Sequence, residues 1–331
     1  MIKLPAGIRI LHGSIGSAML HNVNRHTRYL SDSTGKSYRY SCKKFDAWRT
    51  RYGISNRNIW LAPRRYVQLW AIYLSNCEYA PGSVHKYTAG VCCGLQISMA
   101  GIARHSTSAE KRRSLGLSKS GQRARNNPRN ASIVAFQKMV GGRRSALTRL
   151  KGRDFVYDES GEPCVRFIRD KGGKDQLQRI APEHVEAVRA YFDAVGPDEL
   201  LFPKIDSHLD LQCIRAEHAR REYARYLKIC STPEGREMMR TQLMARYTDP
   251  EIGCKKFRLA MDHGDTQYAN ALKRKFEEAM RDGTYRLIGI NREVALERGR
   301  PVEYDRLALM CVSVFALSHW RNGVTIKYYM L

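Results

Sequence analysis

No apolar run in the chain approaches the roughly 20 residues needed to cross a bilayer, no C-x-x-C pair occurs among its cysteines, and acidic residues are scarce in its first 130 positions. Each shortage excludes something. Without a long apolar run there is no candidate membrane helix, and the opening M-I-K-L-P-A-G-I-R-I-L-H-G lacks the continuous apolar core of a signal peptide. We therefore expect a cytoplasmic protein with no membrane partner. The cysteines number nine, an odd count, and Cys92 and Cys93 are adjacent in a helix-like stretch. They fit buried free thiols in a reducing compartment better than disulfides or zinc ligands, so neither a metal nor a cofactor is expected. The acidic shortage unbalances the charge. Residues 1–130 carry 22 basic against 4 acidic residues, and the whole chain, with 57 Lys plus Arg, has a net charge of +25. A field of that sign attracts polyanions, and the expected partner is a nucleic acid.

At 331 residues the chain is long enough for two domains. Residues 1–30 show no convincing period and are expected to form an N-terminal arm. From Ser31 or Ser33 a helix to about Tyr52 places Tyr38, Cys42, Phe45, Trp48 and Tyr52 on one stripe. Pro63 suits the first turn of a second helix with Val67, Trp70, Ala71 and Leu74 inward. A third, from about Ser83, carries Val84, Tyr87, Val91, Leu95 and Met99. These make a basic helical domain over 31–115, in which Lys43 and Lys44 are candidate DNA contacts. Residues 111–130 hold no acidic residue, two glycines and a proline. That composition predicts a basic linker over 116–130 rather than a continuous helix. Between two DNA-facing domains, Lys111, Arg112, Arg113, Lys119, Arg123, Arg125 and Arg129 would neutralise phosphates.

The second domain, 131–331, begins with a short helix to Val140. Cys164 to Ile180 has two short alternating runs around Gly172-Gly173, a hairpin signature. Helical patterns follow from Pro182 to Phe192, from about Leu209 to Leu227, and from about Tyr304 to Leu317. Residues 231–302 are charged and helical in composition. The expected fold class is mainly α with a small antiparallel β-sheet.

The order of motifs resembles the tyrosine recombinases, the phage-integrase family. G-G-R-R-S-A-L-T-R-L-K-G-R-D, Gly141 to Asp154, matches the family's G-x-R-R-S-E-x-x-x-L-x-x-x-D box, and K-G-G-K, Lys171 to Lys174, matches its K-G-x-K turn. Q-C-I-R-A-E-H-A, Gln212 to Ala219, is similar to H-x-L-R-H-x-x-A. L-S-H followed at nine residues by Tyr328 is similar to L-G-H and the nucleophile, including the V-T-x-x-Y ending. Ser31, Thr34, Tyr38, Phe45 and Trp48 fit the opening of the family's core-binding domain. The resemblance implies a helical core-binding domain and a mixed α/β catalytic domain of tyrosine recombinase type. It assigns Arg143, Lys171, Arg215 and His319 as catalytic, with Tyr328 as nucleophile and Tyr329 in reserve. It also implies double-stranded DNA as substrate, a homo-tetramer on two sites, DNA-bending accessory proteins, and a prokaryotic, phage or mobile-element setting.

The residue types suit the reaction. Tyrosine can attack phosphorus once it loses its proton, two arginines can fork onto the non-bridging oxygens, and lysine or histidine can protonate the leaving 5′ oxygen. No metal is needed. Four departures stand out: Gln212 replaces a histidine and cannot act as acid or base at neutral pH, Ala216 replaces the next histidine of that box, Ala146 replaces an acid, and Ser318 replaces a glycine. The long step from Arg215 to His319 marks 231–302 as an insertion, whose basic helices, including Lys273 to Phe276, are expected to contact DNA or a neighbouring subunit. A short stretch after Tyr328 leaves subunit assembly to another surface. A type IB topoisomerase-like enzyme and a non-catalytic DNA-binding or architectural protein of the same fold are the alternatives.

Overall fold

The computed structural model describes residues 14–28, 32–104, 119–170, 174–318 and 320–331. It is mainly helical, 66% helix, with small antiparallel sheets. The chain divides into two compact units, Met1–Arg112 and Arg113–Leu331.

The first unit packs α1 (Ile15–Thr27), α2 (Asp32–Arg51), α3 (Asn56–Leu61), α4 (Pro63–Asn76) and α5 (Pro81–Leu95). Part of the expected N-terminal arm is therefore a bundle helix. Ile15, Met19 and Val23 recur every fourth residue and are fully buried, a stripe diluted in sequence by the asparagines and histidines around it. Phe45, Trp48 and Trp70 form the aromatic centre, with ring centroids 5.4–5.8 Å apart. Burying each such ring contributes about 2–3 kcal/mol. The helices approach closely because α5 presents a glycine at the crossing. A Cβ on Gly94 would lie 2.8 Å from Cys42 Sγ and 2.9 Å from Met19 Cβ. Tyr52, expected on the inward stripe, lies at the end of α2 and is exposed.

The second unit opens with α6 (Lys119–Asn126), so part of the expected linker is helix. Its Gly121 and Ala124 are buried, and Arg125 makes a bidentate pair with Glu217 at 2.6 and 2.7 Å. Tertiary contacts thus hold as helix a segment whose Gly and Asn content read as linker. Next come α7 (Ala131–Val140) and α8 (Arg144–Leu147), then a three-stranded antiparallel sheet of β1 (Phe155–Tyr157), β2 (Pro163–Asp170) and β3 (Lys174–Arg179). The hairpin register pairs Cys164 with Arg179 and Val165 with Gln178. After α9 (Val185–Asp193), the 19-residue α10 (Leu211–Ile229) is started by Asp210, whose carboxylate accepts from the Gln212 and Cys213 amides. The chain continues through α11 (Pro233–Thr248), α12 (Lys255–Asp262), α13 (Thr266–Ala279), β4 (Thr284–Arg286), α14 (Gly289–Glu297), β5 (Glu303–Asp305) and α15 (Arg306–Cys311). It ends with a π-helical turn (Val312–Ala316), α16 (Asn322–Thr325) and a second π-helical turn (Ile326–Met330).

Helix α10 runs through two apolar cores. Its Leu211 and Ile214 join Phe136, Phe167, Phe192 and Phe202. One turn on, Ala219 and Tyr226 join residues of α11, α13, α15 and the first π turn. Arg215 sits at the seam between them. The segment 231–302 is not a surface attachment. Leu243 is 0% exposed, and Phe276, the last residue of the basic Lys273 to Phe276 run, stacks on Tyr247 at 4.2 Å with Trp320 against its edge.

Candidate active site

Helix α7 ends on Gly141, whose φ of +69° is the left-handed conformation that glycine adopts without penalty. A side chain there would also collide with the ring of His218, since a Cβ would lie 2.3 Å from its Cδ2. The carbonyl that this turn exposes accepts a hydrogen bond from Nη1 of Arg215. Arg215 is 0% exposed. It reaches three further segments: Nη1 lies 3.4 Å from Gln178 Oε1 on β3, Nη2 donates to the Leu317 carbonyl at 2.8 Å, and Nε donates to the Tyr329 hydroxyl at 3.3 Å in the terminal π turn. Gln178 is itself buried and donates through Nε2 to the Val140 and Ala316 carbonyls. The guanidinium is thus fixed in a nearly dry place largely by main-chain oxygens of converging segments.

Of the two tandem arginines, Arg144 donates to the Asp206 and Leu209 carbonyls and ties down that loop. Arg143, half-buried in extended backbone before α8, donates to Gln176 Oε1 on β3 at 3.0 Å. Its charge acts on Tyr329. Burial pushes the Tyr329 phenol up, but the Arg215 guanidinium, a hydrogen bond from Gln212, and Arg143 outweigh it and hold the pKa below the ordinary tyrosine value.

Arg143, Arg215, Gln212 and the reserve Tyr329 are therefore brought together. Tyr329 is 4% exposed with its hydroxyl against Arg215, whereas Tyr328 is 46% exposed. The physical reason is the winding of the tail. A nine-residue step from His319 selects Tyr328 if the last turn is α-helical, but Ile326–Met330 is π-wound, with the Leu331 amide donating to the Ile326 carbonyl five residues back. A π turn holds one extra residue, and the tenth residue takes the inward place. Lys171 and His319 lie outside the described residues, as do Lys111, Arg112 and Arg113.

Other candidate DNA contacts divide. Lys43 is exposed on α2, and Arg123 and Arg129 lie on or just after α6, as does Lys119 at the start of that helix. Lys44 is engaged within the first unit: Nζ donates to the Tyr79 hydroxyl at 2.7 Å and lies 4.8–5.6 Å from the rings of Tyr79, Tyr87 and Tyr40. Arg125 is committed to Glu217. Ala146, where the resemblance places an acid, is buried, and Ser318 takes φ +52°, the conformation that explains a glycine in that motif position.

Two features had no sequence signal. His218 is fully buried one turn beyond Arg215, with Nδ1 3.0 Å from the Lys138 carbonyl and Nε2 without a hydrogen-bond partner among the described residues. Burial, reinforced by Arg221 and Arg215, depresses its pKa to about 3. Behind Gln178, Arg179 donates to Asp158 at 2.6 Å, and Arg246 of α11 donates to Asp158 at 2.7 Å and to both oxygens of Glu159 at 2.9 Å. Both arginines face the ring of Phe315. Burial alone would raise the Asp158 carboxyl, but the two arginines hold it below the usual range. This network welds α11 to the strand that carries Gln178.

Among the described residues no group of His, Cys, Asp or Glu has the makings of a metal site, and no helix is long and apolar enough to cross a membrane. No family model and no curated protein matches the chain.

Proposed function

We propose that the chain is a site-specific DNA recombinase that cleaves and rejoins duplex DNA through a 3′-phosphotyrosyl intermediate, with Tyr329 as nucleophile. The observation that carries this is the pairing of the Tyr329 hydroxyl with the buried Arg215 guanidinium, with Arg143 close enough to act on the same phenol. A tyrosine beside two cations gives up its proton more readily, and the same cations can stabilise the charge that builds on a pentavalent phosphate. Attack by the phenolic oxygen forms the phosphotyrosyl bond and breaks the bond to the 5′ oxygen, which takes a proton from Lys171 or His319. The phosphodiester energy is kept in the enzyme–DNA bond, so the 5′ hydroxyl of a second strand reverses the step without a cofactor. In this proposal four subunits act on two DNA sites.

Gln212 favours a second reading, a DNA-binding protein that no longer cleaves, because glutamine donates to Tyr329 but cannot move a proton at neutral pH. A nicked duplex built from the DNA flanking the coding region separates the two. The recombinase gives a covalent protein–DNA adduct that survives denaturation, persists in Tyr328→Phe and is lost in Tyr329→Phe. Binding without an adduct supports the second reading, and an adduct lost only in Tyr328→Phe refutes the assignment of Tyr329.

A further inference from the structure

We propose that α12 and α13 form a helix-turn-helix whose second helix, α13, enters the major groove of duplex DNA and reads its bases through Gln267, Asn270 and Arg274. This rests on the DNA partner of the recombinase reading above and locates where on the chain a sequence is recognised. The two helices are joined by only three residues, His263, Gly264 and Asp265. Gly264 takes φ +69°, the left-handed conformation that reverses the chain at least cost, and nothing lies within 4 Å of where its Cβ would be. The Gly264 amide donates to the Met261 carbonyl and the Asp265 amide to the Ala260 carbonyl, which closes α12. Asp265 then starts α13, its carboxylate accepting from the Tyr268 amide at 2.9 Å. A connection this short, with a glycine in it, is that of the helix-turn-helix motif.

Packing decides which side of α13 faces out. Ala269 and Phe276 are buried, Phe276 stacks on Tyr247 at 4.2 Å, and the Tyr247 hydroxyl donates to the Leu272 carbonyl at 3.4 Å. Trp320, next in sequence to His319, meets the same Phe276 ring edge-on, so α13 and the terminal segment share one support. On the outer side Gln267, Asn270 and Arg274 recur at three and four residues and are all exposed, with Lys275 beside them. Unlike Arg179, Arg236 and Arg246, neither Arg274 nor Lys275 has an ion-pair partner among the described residues. The residue types are those that tell bases apart, since Gln and Asn fork onto adenine and Arg onto guanine. From Gln267 to Arg274 the stripe runs roughly 10 Å along the axis, the rise of about three base pairs. Charge favours the same occupant: Lys255 to Phe276 holds six basic and two acidic residues, and Asp265, one of the two, is engaged as the cap. Lys255 and Lys256 are exposed at the start of α12, the helix that crosses the phosphate backbone in this motif. In this docking Glu277 and Glu278 lie at the end of α13 that leaves the groove, because base contacts come from the start of the second helix.

The test uses the full chain and a pool of randomised duplexes, from which wild type, Asn270→Ala, Arg274→Ala and Lys255→Ala each select what they bind. Affinities for the wild-type consensus are then read by fluorescence anisotropy at several salt concentrations. Wild type should select a defined motif. Asn270→Ala and Arg274→Ala should each lose preference at one base pair of it and bind the consensus about 5- to 150-fold more weakly, the discrimination of one good bidentate contact. Lys255→Ala should weaken binding to every duplex alike and lower the logarithmic salt slope by about 0.9. All three substitutions are at exposed positions, and urea unfolding checks that each variant is folded. A motif unchanged in both Asn270→Ala and Arg274→Ala, or no motif in wild type, overturns the proposal. Altered subunit assembly with an unchanged motif overturns it too and assigns this face to a second copy of the chain. Each of these outcomes leaves the covalent adduct on the nicked duplex as it was; absence of that adduct in wild type counts against cleavage and leaves the base-reading result standing.

Discussion

Lowering the pH from about 7 to about 5 is expected to remove about 2 kcal/mol of stability through His218 alone. The side chain is fully buried, its Nδ1 is engaged with the Lys138 carbonyl, and its pKa is depressed to about 3. In the unfolded chain the same group titrates near 6.5. Between these values the unfolded state binds a proton that the folded state refuses, so stability is present above about 6.5 and is lost as the pH falls toward 3. Each pH unit inside the window is worth about 1.36 kcal/mol, which gives about 2 kcal/mol near pH 5. Asp158 acts in the same direction, since its depressed pKa also makes folding weaker in acid, but its loss begins below the ordinary carboxylate range. Comparing urea unfolding of wild type and His218→Gln at the two pH values isolates the histidine. The variant should start less stable, because the buried ring is replaced, and should lose markedly less on acidification. Equal losses in the two proteins would refute the claim that His218 is held neutral. Protonation also matters locally, because a cation at His218 would stand against Gly141, whose carbonyl holds Arg215.

Further expectations concern the 231–302 segment and the turn before His319. Leu243→Ala should cost about 2–5 kcal/mol, as for a fully buried leucine in a packed core, whereas exposed Lys275→Ala should stay within about 0.5 kcal/mol; similar small effects in denaturant titration would mean that the segment is not core. Ser318→Ala should destabilise by about 1 kcal/mol, because it loses the hydrogen bond to the Leu177 carbonyl and keeps the left-handed strain. Ser318→Gly relieves the strain and should be the more stable of the two, and the opposite order in thermal unfolding would show that the left-handed backbone at this position costs an alanine little.

Much of the helical framework was legible because its cores obey simple periods. Cys42, Phe45, Trp48, Val67, Trp70 and Leu74 all point inward as their spacing requires. The hairpin followed from Gly172-Gly173 between alternating runs, and Arg143 and Arg215 could be singled out by the boxes around them. Helix α1 was missed because its apolar positions are separated by polar residues that face outward. Helix α6 was missed because its stability comes from Arg125 meeting Glu217, a residue far away in sequence. That Tyr329 rather than Tyr328 meets Arg215 could not be read from spacing, because counting residues assumes a winding and no local composition announces a π turn. Gln178, Asp158 and Arg246 carried no signal at all, since each takes its meaning from partners contributed by other elements.

The arginines and lysines tied up inside the fold change what a salt titration should show. Each cation that neutralises a phosphate expels condensed counterions and steepens the fall of affinity with salt by about 0.9 in the logarithmic slope. Arg179 and Arg246 are buried against Asp158, Arg125 is forked onto Glu217, Arg236 is paired with Asp282 and Asp305, and Lys44 is roofed by tyrosines. None of these can shed an ion from DNA without first abandoning its internal partner. The formal charge of +25 is thus an upper bound with a large structural component, and ionic strength should weaken the proposed DNA binding less steeply than the composition suggests.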